Sequence, residues 1–171
     1  HSPLHEAQLN AKLLQPLFLE TNYSLEQLAD AATLSTETSS AFSLDHSKYH
    51  LILHPTSKGS AREWGNENFE NLVRLLPKEN FTLYLCGLES DRTKLAPLLE
   101  KCDGEFFIDC IGKFNLSTYI NFIQAADGLI ANSTGPLHIA ALSNKDAFGI
   151  YPPIKPMHPG RWSPIGKHSQ V

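Results

Sequence analysis

The chain has little of several things that would have settled its class at once. Its 171 residues hold three cysteines, Cys86, Cys102 and Cys110, none in C-x-x-C spacing. An odd, scattered set excludes a disulfide scaffold or zinc ribbon and fits a reduced, cytoplasmic protein. Cys86, at a strand end, reads as a small buried apolar residue. No run approaches the roughly 20 apolar residues of a membrane-spanning helix, and no basic-then-apolar signal pattern opens the chain. Lysine and arginine number 14 against 18 aspartate and glutamate, unclustered, for a net charge of −4. Nucleic acid is therefore not expected as the main partner, whereas a nucleotide or phosphosugar needs only local positive groups. G-x-x-x-x-G-K-[ST] and H-E-x-x-H are absent, and so is G-x-S-x-G, which makes Ser133 a poor hydrolase nucleophile. His1 and His5 sit at a terminus prone to fray, so no metal site is expected. The chain opens at His1 and not at methionine, which fits a processed product or a fragment of something longer.

What is present is ordinary globular composition, 42% hydrophobic and 19% charged, enough for one core with an appendage. Residues Leu4 to Glu20 read as a helix that Pro16 should kink or end, its apolar face (Leu9, Leu13, Leu14, Leu17, Phe18) in need of cover from elsewhere. A second short helix should start at Ser24, with Gln27 as capping-box partner, and run to about Ala32. The Ser- and Thr-rich stretch from Thr33 to Asp45 reads as a linker, dividing residues 1–46 from a domain at 47–171.

From there strands alternate with helices. Strands are expected at Tyr49–Leu53, Phe81–Cys86, Phe106–Asp109, Leu129–Ala131 and Ala147–Tyr151. Helices are expected at Asn66–Leu76, Ser90–Lys101 (with Pro97 a blemish), Leu116–Ala125 and Pro136–Leu142, and the tail from Pro152 to Val171 as extended loop. That rhythm is an α/β fold, a Rossmann-like parallel sheet with helices on both faces, whose ligands sit at the carboxyl ends of the strands.

Four loops gather at that edge. Asn132-Ser-Thr-Gly-Pro136 joins a buried strand to a helix that opens with proline, and free amides at such a start attract phosphate. His138 lies one turn in, on the face that would meet the ligand; the bland alternative is a capped helix and a core histidine. The loop His54-Pro-Thr-Ser-Lys-Gly-Ser-Ala-Arg-Glu-Trp64 offers Thr56, Ser57, Lys58 and Arg62 to a phosphate, or is simply a solvated loop. Glu89 stands where a carboxylate would bind ribose hydroxyls, unless it and Asp91 merely favour a helix N-terminus. The stretch Gly112 to Ser117 would lend backbone to a base or ribose, with Ser117 equally an N-cap.

With these loops in view, the chain from His50 onward resembles the C-terminal half of the ADP-heptose:lipopolysaccharide heptosyltransferases, the family-9 glycosyltransferases. The likeness rests on His54-Pro-Thr-Ser-Lys with Arg62 and Trp64, Leu85-Cys-Gly-Leu-Glu89, Ile111-Gly-Lys with Leu116, Asn132-Ser-Thr-Gly-Pro-Leu-His-Ile-Ala-Ala141 and the tail Pro156-Met-His-Pro-Gly-Arg-Trp-Ser-Pro-Ile-Gly166. It implies one half of a GT-B fold, donor-binding, from a transferase that moves a sugar, typically heptose, from an ADP-sugar to lipopolysaccharide core with inversion and without metal or cofactor. It also implies a cytoplasmic parent with peripheral contact at the inner membrane. Donor-binding residues implied by the match are Thr56, Ser57, Lys58, Arg62, Glu89, Leu116, Ser133, Thr134, Gly135 and His138. The general base belongs to the family's N-terminal half, of which residues 1–46 resemble only the last helices, so no catalytic residue is assigned and the chain alone should be inactive. The family often carries aspartate where this chain has Ser133. Other readings are a non-catalytic nucleotide-binding or regulatory module, or a GT-B-related sugar-nucleotide epimerase.

Overall fold

Five short apolar runs, too short for helices and each followed by a polar turn, become strands; a sixth strand comes from the tail. The computed structural model describes residues 3–34, 42–155 and 157–171. The strands are β1 (Tyr49–His54), β2 (Phe81–Leu85), β3 (Phe107–Asp109), β4 (Gly128–Asn132), β5 (Asp146–Ile150) and β6 (Ser169–Gln170). All pair in parallel, in the order β3-β2-β1-β4-β5-β6. The order reverses between β1 and β4, and there the crossover loops diverge and leave a crevice at the carboxyl ends.

Period-two alternation along β1 sorts its side chains onto two faces. Leu51 and Leu53 face one core cluster, with Phe69 and Val73 of α3 (Asn66–Leu75) and Leu98 of α4 (Ala96–Leu99). Ile52 faces the other, with Phe122 and Ile123 of α5 (Leu116–Ala125) and Leu137 and Ala140 of α6 (Gly135–Leu142). Phe42 and Leu44, within the stretch read as linker, also pack on this second cluster. Residues 35–41 of that linker lie outside the described residues.

Three elements differ from expectation. The helix read from Ser90 to Lys101 is broken into a 3-10 turn at Glu89–Asp91 and the single-turn α4. Pro97 is the cause: lacking an N–H, it fits only the first turn, so a regular helix cannot run through it from Ser90, and α4 starts at Ala96. The helix read from Leu4 to Glu20 is α-helical only over α1 (Glu6–Ala11) and tightens to 3-10 over Lys12–Leu17, where Pro16 removes one amide from the α ladder. The tail is not all extended loop: His158 caps a one-turn helix at Pro159–Trp162, and β6 adds to the sheet edge. The second helix, α2 (Leu25–Ala31), forms with the Ser24–Gln27 capping box.

The segment before the sheet has no buried residue in any helix, and Phe18 is 99% exposed. It is tied to the tail instead. Buried His5 caps the first helix through Nδ1, which accepts from the Ala7 amide, so Nε2 carries the proton and donates to the Ser163 carbonyl at 2.9 Å. Arg161 pairs with Glu6 at 2.8 Å. Among the described residues, no helix is long and apolar enough to cross a membrane.

Candidate functional site

The crevice at the switch point holds two cavities that meet at the start of α6. The first, of about 330 Å³, is lined by the loops after β1, β2 and β4 and by the start of α5. The second, of about 450 Å³, lies between the start of α6, Ser60 and Ala61 of the β1 loop, and Pro152, Met157 and Trp162 of the tail. Ser60, Thr134 and Gly135 line both.

The α6 start is built as the sequence suggests, with one change of detail. Thr134 holds the N-cap position, but its side chain makes no capping bond. Its hydroxyl is buried and without a hydrogen-bond partner, a costly state for a polar group. A methyl group added at Gly135 would meet nothing within 4 Å, so the helix start is open at this residue; of the next two positions, Pro136 has no N–H and the Leu137 amide donates to the Thr134 carbonyl at 3.2 Å. Asn132, fully buried, does not cap the helix; it donates to the Pro55 carbonyl at 2.6 Å and accepts from the Trp64 amide at 3.0 Å. One side chain thus locks the end of β4 to both ends of the β1 loop.

That loop is braced from inside. The Thr56 hydroxyl donates to Asp91 at 2.9 Å, and Asp91 also accepts from the Leu88 amide. Ser57 is held by Glu63, which accepts from its amide and hydroxyl. Burial would raise the Glu63 carboxyl, but the Lys94 ammonium and the Ser57 bonds outweigh it and hold the group low. Lys58, at φ 49° and exposed, lines the first cavity from the loop tip.

The first cavity's other wall is aromatic. Tyr119 and Phe114 stack with centroids 5.9 Å apart, and His54 stacks on Tyr119 and meets its hydroxyl at 2.9 Å. Burial pushes the His54 imidazole down to about 4, against a smaller upward pull from Asp91, so it is neutral at physiological pH. His138 lines the second cavity and is likewise held below the ordinary imidazole range, by burial first and by neighbouring His5 second.

The expected site residues therefore divide. Thr56, Ser57, Lys58, Leu116, Thr134 and Gly135 line the first cavity; Ser133, Thr134, Gly135 and His138 line the second. Arg62 lines a third cavity of about 410 Å³, which adjoins the second at Pro152. Glu89 lines none of the three: its carboxylate pairs with Arg92 at 2.8 Å, and Arg92 bridges on to Asp109 and the Ile111 carbonyl. Arg92 thereby ties the β2 and β3 loops together. His54, Asp91, Phe114 and Tyr119 line the first cavity without having been singled out from sequence. A signal existed for His54: it alternates with Leu53 along β1 and so had to face α5.

The fold and the edge of the sheet that carries the site bear comparison with known proteins. The family model of glycosyltransferase family 9 (heptosyltransferase) matches residues 5–171. The chain belongs to this family. The match extends the likeness seen from His50 onward back through the N-terminal helices. Lipooligosaccharide heptosyltransferase 2 of Haemophilus influenzae is 25% identical over 103 residues, 58% of this chain and 30% of that protein. A family-9 glycosyltransferase of Veillonella parvula superposes with a TM-score of 0.74 at 19% identity, covering all of this chain and 49% of that one. Escherichia coli heptosyltransferase WaaC with ADP superposes with a TM-score of 0.64 at 15% identity, covering 92% of this chain and 46% of that one. At these identities the two structures speak to the fold, an α/β Rossmann-like family-9 domain. The chain spans under half the length of the relatives it matches.

Proposed function

We propose that the chain is the donor-binding half of an inverting, metal-independent glycosyltransferase that moves a sugar, heptose in the first instance, from an ADP-sugar to lipopolysaccharide core or a related envelope glycan. The observation that carries this reading is the start of α6: a buried hydroxyl without a partner at Thr134 and open space at Gly135, placed where the two cavities join. A diphosphate laid there would receive the Thr134 hydroxyl, the Gly135 amide and the positive end of the helix dipole. The first cavity, with its flat aromatic wall, suits a nucleobase and ribose; the second suits the glycosyl group, with His138 and Ser133 alongside. Charge building on the leaving diphosphate is stabilised by these fixed donors, with Lys58 beside them, and needs no resident cofactor. The general base and the acceptor site belong to the remaining half of the family's length, so this chain alone binds donor and transfers nothing. The parent works in the cytoplasm, touching the inner membrane at its acceptor.

Calorimetry with ADP, UDP, GDP and ADP-heptose tests this. ADP and ADP-heptose should bind, and His138→Ala should weaken ADP-heptose more than ADP, because His138 lies only in the second cavity. Equal failure of every nucleotide, or equal effects of the substitution on both ligands, would refute the assignment.

A further inference from the structure

The donor-site reading leaves Cys86 and Cys110 without a role. Each follows its strand directly, one step beyond the registered pair Leu85 and Asp109, and the Cys110 amide donates to the Leu85 carbonyl at 2.9 Å, so the ladder continues to this point. Matched positions on parallel neighbours face the same way, and both thiols lie in the cluster under α5 and α6. Adjacent strands run about 4.8 Å apart, inside the Cα separation of roughly 4.4–6.8 Å that a disulfide spans. Both cysteines are free, and their thiols hydrogen-bond each other. Their surroundings also set them apart: burial pushes Cys86 up, whereas the bond from Cys86, helped by Lys113 and opposed by burial, holds Cys110 down. Cys86 lines the first cavity and touches the Tyr119 hydroxyl, which in turn meets Nδ1 of His54.

We propose that Cys86 and Cys110 form a reversible disulfide in the presence of peroxide, and that closing it loosens the aromatic wall of the first cavity. The Cys110 thiolate attacks one oxygen of hydrogen peroxide and breaks the O–O bond; a sulfenic acid forms and hydroxide leaves, to be protonated by solvent. The Cys86 sulfur then attacks the sulfenic sulfur, the S–S bond forms, the S–O bond breaks, and the Cys86 proton departs with the hydroxyl as water. Two thiols lose two electrons and the peroxide gains them. Drawn toward β3, the Cys86 sulfur leaves the Tyr119 hydroxyl, and the stack of Tyr119, His54 and Phe114 loses its anchor.

The test treats the intact chain with hydrogen peroxide and follows it by peptide mass mapping and amide hydrogen exchange. The expected product links the peptides carrying Cys86 and Cys110, leaves Cys102 free, and reverts with dithiothreitol. Exchange should rise between Lys113 and Tyr119 in the linked form. Sulfinic acids or unlinked thiols in place of the linked pair would overturn the site; linkage with unchanged exchange would overturn its effect on the wall. Cys110→Ser should neither link nor change its exchange under peroxide, and a wild-type response in that variant would also overturn the proposal. One arm rests on the nucleotide-donor reading: ADP binding should weaken roughly tenfold on linkage, within the usual range for coupled sites, and return on reduction. Because linkage is read by mass, its failure is distinct from a failure of the reduced chain to bind ADP.

Discussion

Gly135 is the residue at which structure and proposed function separate most cleanly. An added methyl group meets nothing within 4 Å, so Gly135→Ala should leave stability within about 0.5 kcal/mol by urea denaturation. A ligand lying on the backbone would meet that methyl group, and ADP affinity measured on the same sample should fall at least roughly tenfold, about 1.4 kcal/mol. Gly112 is the contrast: at φ 71°, with Glu89 packed against the place where a Cβ would stand, any other residue is strained there. His54 makes a second prediction. Its imidazole is depressed to about 4 from 6.5, so between those values the unfolded chain binds the proton and the folded chain does not. The stability that neutral His54 contributes is fully present above about 6.5 and is lost as pH falls toward 4. His138 is lowered too and acts with the same sign. Melting temperature followed from pH 7.5 to 4.5 should therefore fall, and His54→Phe should flatten part of that slope; an unchanged slope would mean that His54 is not the group titrating.

Among the elements, the β1 loop depends on a side chain from another strand. Asn132→Ala would leave the Pro55 carbonyl and the Trp64 amide without partners in a buried place, and should cost about 2–3 kcal/mol in denaturant unfolding. The loss should show in exchange at Thr56 to Trp64, since both ends of that loop are released. Sequence marked Asn132 as an N-cap type, which is its local chemistry; its actual bonds run 77 and 68 residues back along the chain, and no local pattern reports them. Glu89 departs from its expected role for a local reason. Its position after β2 was legible, but Arg92, three residues on, takes its carboxylate. Five of the six strands and most of the helices were legible because their apolar periods are set by the chain itself, whereas β6 lies in a tail with no such period. The broken helix from Ser90 was not, because its periodicity runs through Pro97.

At the scale of the whole molecule, the N-terminal helices and the tail form one seam. Arg161 pairs with Glu6, and Lys167 pairs with Asp30 at 2.9 Å. These groups are partly exposed, so Arg161→Ala should cost less than about 1 kcal/mol of global stability. Its effect should be local: faster hydrogen exchange in both Glu6–Ala11 and Pro159–Trp162, with the sheet unchanged. Faster exchange at one end only would mean that the pairing does not hold the seam. The second cavity borders this seam through Met157 and Trp162, so the variant also asks whether the seam shapes that wall.

The sequence by itself determined the alternation of strands and helices, the capped second helix and the polar start of α6, since each follows from periodicity or capping within a few residues. It also carried the family likeness, in short motifs that sit in loops. Tertiary structure alone decided which loop residues share a cavity, because that depends on strand order and on side chains meeting across the switch point. It divided the candidates between two cavities, gave Glu89 to Arg92, and brought His54, Asp91 and Tyr119 to the wall. It also made neighbours of two cysteines 24 positions apart by placing β3 beside β2 in register.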